Sequence, residues 1–506
     1  MDINGIPTEV LSLILGYLLV PEGEQHAKRG TTQDFQDLRA ARLVCQQWNQ
    51  LASRHMFRTL ALLHHPDHDS EFEKWTEMTS SPMIQEITQR VEIYSGPHHF
   101  GSVAEMSEWS HEEHWDEFTA AVDRIAELPN LSAVHIRFSD KCIGDPDGTN
   151  WPDEEAEEPE ARLEILNAVF DAIDKRKTKI EARKNDSKAS YSTITSLTIE
   201  NLQNKPIPEF ISSDVFQSVL QDITELRLLV TNEYNEHGPD HDLYLPERCD
   251  FEPWLQTKFL PCFADRLTSL HLAFGENWGV APGYFDGKGL LFPRLKSLTL
   301  GEFVIGHHDQ FDWVLAHTTL ETLRLHDCVI ASYLTFQEDQ GSTANDRKQL
   351  SLWGIRTHDW HRYPAWAFGQ GETNATFRFD GTWEQVFDKI RTSLPKLADF
   401  RMENSSHRYG PHFNSTEEMR CSLTSLRYIV LDTGLLPSPW IKADNYTGAL
   451  SFGNDDPEIL PVEERAEPWH RRPGCELNRA QDTLKGDKRA FDELVSTVER
   501  RRRGRL

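Results

Sequence analysis

Histidines grouped with aspartates are the residues of this chain whose types and spacing come nearest to chemistry. His64 and His65 stand with His68, His98 with His99, His237 with Asp240 and His241, and His358 with Asp359 and His361. An imidazole beside a carboxylate can hold zinc if the fold gathers the groups at one point. None of these groups has the HExxH form, in which one helical turn puts both imidazoles on the same face. The nearest to a metal site, residues 237–242 (HGPDHD), contains Gly238 and Pro239, which place it in a loop. Surface histidine is the plainer reading, so no metal is expected. There is no GxxxxGK[ST] phosphate loop, no GxGxxG after a strand and no GxSxG nucleophile elbow. The seven cysteines, Cys45, Cys142, Cys249, Cys262, Cys328, Cys421 and Cys475, lie far apart and form no CxxC pair. That pattern opposes a zinc ribbon or a disulfide framework and suits a reducing compartment. Cys45 shares an apolar stripe with Trp48, where burial makes a thiol an inert packing group. The chain is expected to carry no catalytic residue, metal or cofactor.

Composition narrows the partners. Of 506 residues, 38% are apolar and 10% aromatic, with fourteen Trp, enough to build a core. The net charge of −28 repels phosphate backbones and anionic lipid, so neither nucleic acid nor membrane is an expected partner. The longest apolar stretch near the start, residues 10–20, carries Ser12 and Gly16 and is too short to span a bilayer. It lacks the basic lead and the small-residue cleavage site of a signal peptide. Asn130, Asn374 and Asn414 then head glycosylation sequons only incidentally, and a cytoplasmic or nuclear location is expected.

The first sixty residues predict two or three short helices. In residues 6–18 (IPTEVLSLILGYL) Pro7 and Glu9 suit a first helical turn. Val10, Leu11, Ile14, Leu15 and Leu18 make one apolar stripe, with Leu13 and Tyr17 off it. Leu38, Ala41, Cys45, Trp48 and Ala52 then recur at steps of three and four. A module this small has more apolar surface than interior, which calls for something to cover it. The order Ile6-Pro7, Glu9, Ile14, Leu18, Leu43-Val44-Cys45, Trp48, Leu51-Ala52 and residues 57–60 (FRTL) resembles the F-box motif, above all as fungal-type F-box proteins carry it. The resemblance implies docking on a Skp-type adaptor and, through it, a cullin. Carried over by position, Pro7, Ile14, Leu18, Val44, Cys45 and Trp48 would sit in or behind that interface. Ile6 replaces the usual leucine of the opening Leu-Pro, and the loop over residues 19–36 is longer than usual, a change that loop closure tolerates.

Further along, a phrase recurs: ITSLTI at Ile194, ITELRL at Ile223, LTSLHL at Leu267, LKSLTL at Leu295, LETLRL at Leu320 and LTSLRY at Leu423. LSAVHI at Leu131 and LADFRM at Leu397 are looser copies. The fourth and sixth places have the period of a strand, and helical stretches precede them at 118–128, 214–220, 311–315 and 383–390. A strand after a helix, repeated, resembles the leucine-rich repeat, and the copy at Leu320 runs on through Cys328 and Ile330 in its LxxLxLxxCxI form. The fold expected is α/β: a short helical F-box followed by an irregular leucine-rich repeat solenoid. Residues between the buried leucines, Arg227, His271, Thr299 and Arg324, would then point outward and meet a protein substrate. Together the two resemblances imply a noncatalytic substrate receptor of a ubiquitin ligase; the alternative is a scaffold or an unrecognised enzyme.

The divisions expected are an F-box over 1–60, a repeat body over 61–436 and an extension over 437–506. Insertions are read near 141–190 and 331–382. Residues 153–160 (DEEAEEPE) read as an acidic surface insertion before a helix over 161–173, and the basic run 175–184 as a solvated helix end or loop. Aromatics crowd the second insertion, Trp353, Trp360, Tyr363, Trp366, Phe368, Phe377 and Phe379, and read as the packing of a lobe, with recognition as the alternative. The extension ends in a helical run over 489–498 and arginines at 500–503 and 505, which suit a helix C-terminus or an import signal.

Overall fold

The computed structural model describes residues 6–18, 36–64, 68–96, 115–139, 142, 157–183, 191–232, 246–281, 283–337, 356, 358–363, 374–404, 419, 421–432, 440–442 and 479–504. Helices α1 (Thr8–Gly16), α2 (Gln36–Arg42) and α3 (Gln46–Met56) form the start of the chain. They enclose a small core of their own, Leu11, Leu15, Leu38, Ala41, Leu51 and Ala52.

The rest is a fourteen-stranded, mostly parallel sheet with helices. Strands β1 (Thr59–Leu63), β2 (Arg90–Tyr94), β3 (Ala133–Arg137), β4 (Ser196–Gln203), β5 (Glu225–Thr231), β6 (Ser269–Trp278) and β7 (Ser297–Ile305) lie side by side in chain order. β8 (Thr322–His326) continues them and pairs in parallel with β12 (Asp399–Glu403). One bonding unit sets the register throughout. The carbonyl of the residue just before each strand region accepts from two consecutive N–H groups of the next. Arg58, Gln89, Ser132, Thr195, Thr224, Thr268, Lys296 and Glu321 do so in turn, at 2.7–3.2 Å. Leucine places alternate along the strands because one face packs against helices. Leu197, Leu226, Leu270, Leu298 and Leu323 are aligned strand to strand and buried.

The helices over that face are unequal. α4 (His68–Ser80) and α5 (Pro82–Ile87) link β1 to β2, and α6 (Trp115–Asp123) precedes β3. The 25-residue α7 (Pro159–Arg183) links β3 to β4. α8 (Pro208–Ile211) and α9 (Asp214–Leu220) precede β5, and α10 (Pro246–Trp254) precedes β6. A single turn, α11 (Asp312–Leu315), separates β7 from β8. Phe216 of α9 meets Phe170, Phe210, Phe259 and Phe263 beneath this layer.

The leucine-rich repeat solenoid is not what the chain forms. A solenoid stacks like units, each touching only its neighbours. Here the sheet branches at β7, whose first half pairs with β8 and whose end, Val304 and Ile305, pairs with β9 (Val329–Gln337). β10 (Trp360–Tyr363) and β11 (Asn374–Phe379) join β9 in antiparallel pairing. β13 (Tyr428–Asp432) runs parallel to β9 and antiparallel to β14 (Trp440–Lys442). The copy at Leu423 falls out of step: Ser425–Arg427 is a 3-10 turn, and the strand begins only at Tyr428. The chain is an α/β fold on one branched sheet. The leucine beat reports which strand residues lie under helices, and parallel βα units impose that beat without a repeat array.

Other expectations shift as well. Glu157, read as part of a surface insertion, is fully buried: it pairs with Arg162 at 3.0 Å and accepts from the Ser95 hydroxyl. The basic run from 175 continues α7, and Arg176 is buried, donating to the carbonyls of Leu128, Pro129 and Leu131. Trp360 and Phe379 are buried against one another, as lobe packing requires, whereas Trp353, Trp366 and Phe368 lie outside the described residues. So do the loop 19–35, residues 151–156 and the HGPDHD stretch. Among the described residues no helix is long and apolar enough to cross a membrane.

The end of the chain returns to the body. α12 (Trp383–Ser393) starts in a capping box between Thr382 and Gln385, and α14 (Leu484–Arg503), after the short α13 (Arg479–Asp482), lies against it. Phe491, Leu494 and Val498 join the same core as Leu60 and Val91. Arg501 donates to the carbonyls of Arg391 and Leu394, so it caps α12 in addition to ending its own helix. A fully buried pair, Arg427 and Asp487, holds this return at 2.9 Å. Asp487 also accepts from Tyr428, Thr483 and the Glu384 amide, so its charge is fully solvated by the protein. Removing one member strands the other's charge in the core, at a cost of about 3–5 kcal/mol. Asp487→Ala should lower the melting temperature and open α14 to limited proteolysis; an unchanged melt would show that α14 is not anchored by this pair.

Candidate functional site

Two surfaces are candidates, one apolar and one polar. On α1, Leu11 and Leu15 face inward, while Val10, Leu13, Ile14 and Tyr17 are exposed. The exposed four stand at i, i+3, i+4 and i+7, a continuous helical face. The single stripe read from the sequence is thus two faces, and Val10 and Ile14 lie on the outer one. Leu43 and Val44, in the turn between α2 and α3, add to the exposed set. Six of the eight large apolar side chains exposed among the described residues therefore belong to this small module. Of the expected interface residues, Pro7, Ile14, Val44 and Cys45 are exposed, and Leu18 and Trp48 are half-buried against the module's core. The expected burial of Cys45 is corrected: the helix breaks after Arg42, and Cys45 takes an extended conformation ahead of α3 with its thiol in the open.

The polar surface is the other face of the sheet. Pairing brings Arg227, His271, Thr299 and Arg324 into one row on four adjacent strands, with Arg401 next in line. The outward exposure expected of all four holds only in part. Arg227 and Arg324 are half-exposed, but His271 and Thr299 are buried within the row. Burial, with Arg227, His326 and Arg324 adding positive potential, holds His271 down at about 3. Asp399 serves two arginines at this end, lying 3.2 Å from Arg324 and 3.4 Å from Arg401. At the other end the acids are enclosed by donors. Glu200 meets His135 at 2.9 Å and Arg137 at 3.0 Å, and Glu92 meets Arg90 at 3.4 Å and the Tyr94 hydroxyl at 2.9 Å. Such a face offers guanidinium groups to a partner's carboxylates and carbonyls.

One grouping escaped the sequence. Ligand-type atoms of Glu302, His326 and Asp327 lie within 4.8 Å of one another, the acids buried and the imidazole half-buried. Glu302 and Asp327 hold left-handed backbone, φ 59° and 49°, where β7 and β8 leave their regular pairing. Their spacing in the chain carries no signal, because strand pairing alone makes 302 and 326–327 neighbours. Three such side chains could coordinate a cation.

No protein-family model matches the chain, and no curated protein matches it.

His271 gives a test of the row. Its imidazole is held below the unfolded value of 6.5, so the unfolded chain binds the extra proton as pH falls. Its contribution to stability is intact above pH 6.5 and is lost progressively down to about 3. By pH 4 the loss should reach roughly 3 kcal/mol. Thermal melts of His271→Gln should fall less steeply with acid than the parent; parallel curves would mean that His271 is not buried neutral between the arginines.

Proposed function

We propose that the chain is a noncatalytic substrate-recognition subunit of a Skp–cullin–F-box ubiquitin ligase. In this reading α1–α3 form the F-box and dock on a Skp-type adaptor, and the polar sheet face holds a protein substrate. The observation that carries it is the outer face of α1 with Leu43 and Val44, apolar and exposed on a module whose described residues include only six buried apolar ones. Exposed apolar surface concentrated in one small module is the mark of a protein interface. The motif order around Ile14, Val44 and Trp48 suggests which one. The chain would act by proximity, raising the effective concentration of substrate lysines beside an enzyme held elsewhere in the assembly.

Ile14 is 44% exposed and belongs to neither core. Ile14→Asp would put a charge into a desolvated contact, where losing an anchor costs about 2 kcal/mol or more, and binding should weaken by at least about thirtyfold. The check is a pull-down with adaptor and cullin beside a melt of the same variant. Lost binding with an unchanged melt is expected; retained binding removes the interface.

For the second surface, reversing charge at Arg227 and Arg324 together should weaken substrate recruitment and spare the adaptor. Affinity purification with mass spectrometry, comparing this variant with the parent and with Ile14→Asp, separates the two arms. Partners lost only on charge reversal are substrate candidates, and an unchanged partner list excludes the row as the recruiting face.

A further inference from the structure

A cleft of about 470 Å³ opens where the sheet branches, between the 306–311 turn, β9, β11 and α12. That volume lies in the range of roughly 300–1,000 Å³ typical of small-molecule sites. Ile305, Phe311, Ile330, Phe379 and Val386 wall it with apolar surface. The wall depends on a residue without a side chain: a Cβ at Gly381 would collide with the Phe379 ring.

The charged groups at the rim are already matched. Lys389 bridges Asp312 and the His308 carbonyl at 2.8 Å each, and Asp388 meets Arg391 at 2.8 Å. Thr382 and Gln385 are tied up in the capping box of α12. His307 is bound to Asp359 at 2.7 Å, and burial holds it down at about 4, so it stays neutral. The remaining polar side chain at the rim is His308. It is exposed, its ring packs on Phe379 at 4.9 Å, and that ring makes no hydrogen bond among the described residues.

We infer that this cleft binds a small uncharged aromatic or alicyclic molecule bearing one hydroxyl or carbonyl group, its body against Phe379 and Val386 and its polar group on the His308 imidazole. A charged ligand would enter apolar walls without a counter-ion, because the rim ions neutralise one another. A neutral ligand with one donor or acceptor loses little water and meets the one open imidazole. This inference is independent of the ubiquitin-ligase reading.

The test is calorimetric titration of the full chain with 2-naphthol, naphthalene-2-sulfonate and 2-naphthylmethylammonium. Saturable 1:1 binding of 2-naphthol is expected, with both ions weaker by at least about tenfold. Val386→Trp should fill the cleft and abolish the binding. His308→Ala, which removes the imidazole and keeps the apolar side chains of the walls, should weaken 2-naphthol more than plain naphthalene. Ile14→Asp should bind as the parent does, which separates the cleft from the apolar face of α1. The inference is overturned if 2-naphthol shows no saturable binding, if either ion binds as tightly, or if His308→Ala changes nothing. It is also overturned if only an aromatic side chain within a peptide binds, since the cleft would then be an anchor pocket for a protein.

Discussion

The shared carbonyl before each strand is the constraint on which the rest of this structure depends. One acceptor serving two consecutive N–H groups leaves no freedom to slip by a residue, and a one-residue slip would turn every buried leucine to the opposite face. The same unit recurs from Arg58 to Glu321, so the strand starts stay in step across nine strands from β1 to β12, and the register shifts only farther along, after Ile199 in β4 and after Ala273 in β6. The buried leucine rows and the polar row are two consequences of it. Arg227, His271, Thr299 and Arg324 are neighbours because the backbone aligns them, and no attraction among cationic groups could have done so.

That alignment has an electrostatic cost, which the sheet distributes unevenly. Towards β2 the acids Glu92 and Glu200 are matched by arginine, histidine and tyrosine donors within 3.4 Å. Towards β12 three arginines share a row with Asp399 as a common partner of two, and His271 between them is kept neutral. Arg324 and Arg401 thus lie side by side in a chain of net charge −28. A partner drawn to them would approach against the repulsion of the whole protein unless it carried its own cationic surface elsewhere.

Two separate cores give the molecule a division of labour. Among the described residues α1–α3 close over six apolar side chains, whereas most of the buried apolar residues between Leu60 and Val498 share the large core. A substitution on the outer face of α1 can therefore change binding without touching the body. The body is closed at the far end by the Arg427–Asp487 pair, with five hydrogen-bonding partners, Glu384, Thr424, Tyr428, Ala480 and Thr483, fixing the carboxylate and guanidinium in one geometry. A buried ion pair adds little net stability, but any arrangement that parts its members leaves an uncompensated charge in the core. Here the pair selects the docking of α14 on α12, which in turn builds one wall of the cleft at Val386.

The sequence by itself marked seven of the fourteen strands and the leucines they bury, though not the burial of polar residues such as His271 and Thr299. Alternating leucine with polar residues encodes burial in a period that only a strand has, and seven of the eight phrases begin one. It marked the short helices α1–α3 and their surplus of apolar surface. It did not determine which face of α1 points out, because Val10/Ile14 and Leu11/Leu15 are adjacent strips of one helix. Only the positions of α2 and α3 choose between them. Cys45 went the same way: the three–four spacing runs through it, but the helix breaks there. The architecture was beyond local pattern too. A beat of buried leucines is common to stacked repeats and to a branched sheet, and the branch at Val304 and Ile305 is made by partners far along the chain. Glu157, Arg176 and the Glu302–His326–Asp327 group read as surface or as nothing at all, since a charged residue declares its burial only when its counter-charge or its acceptors arrive from another element. Local periodicity is written in the chain; the company each side chain keeps across strands and helices is decided by tertiary structure.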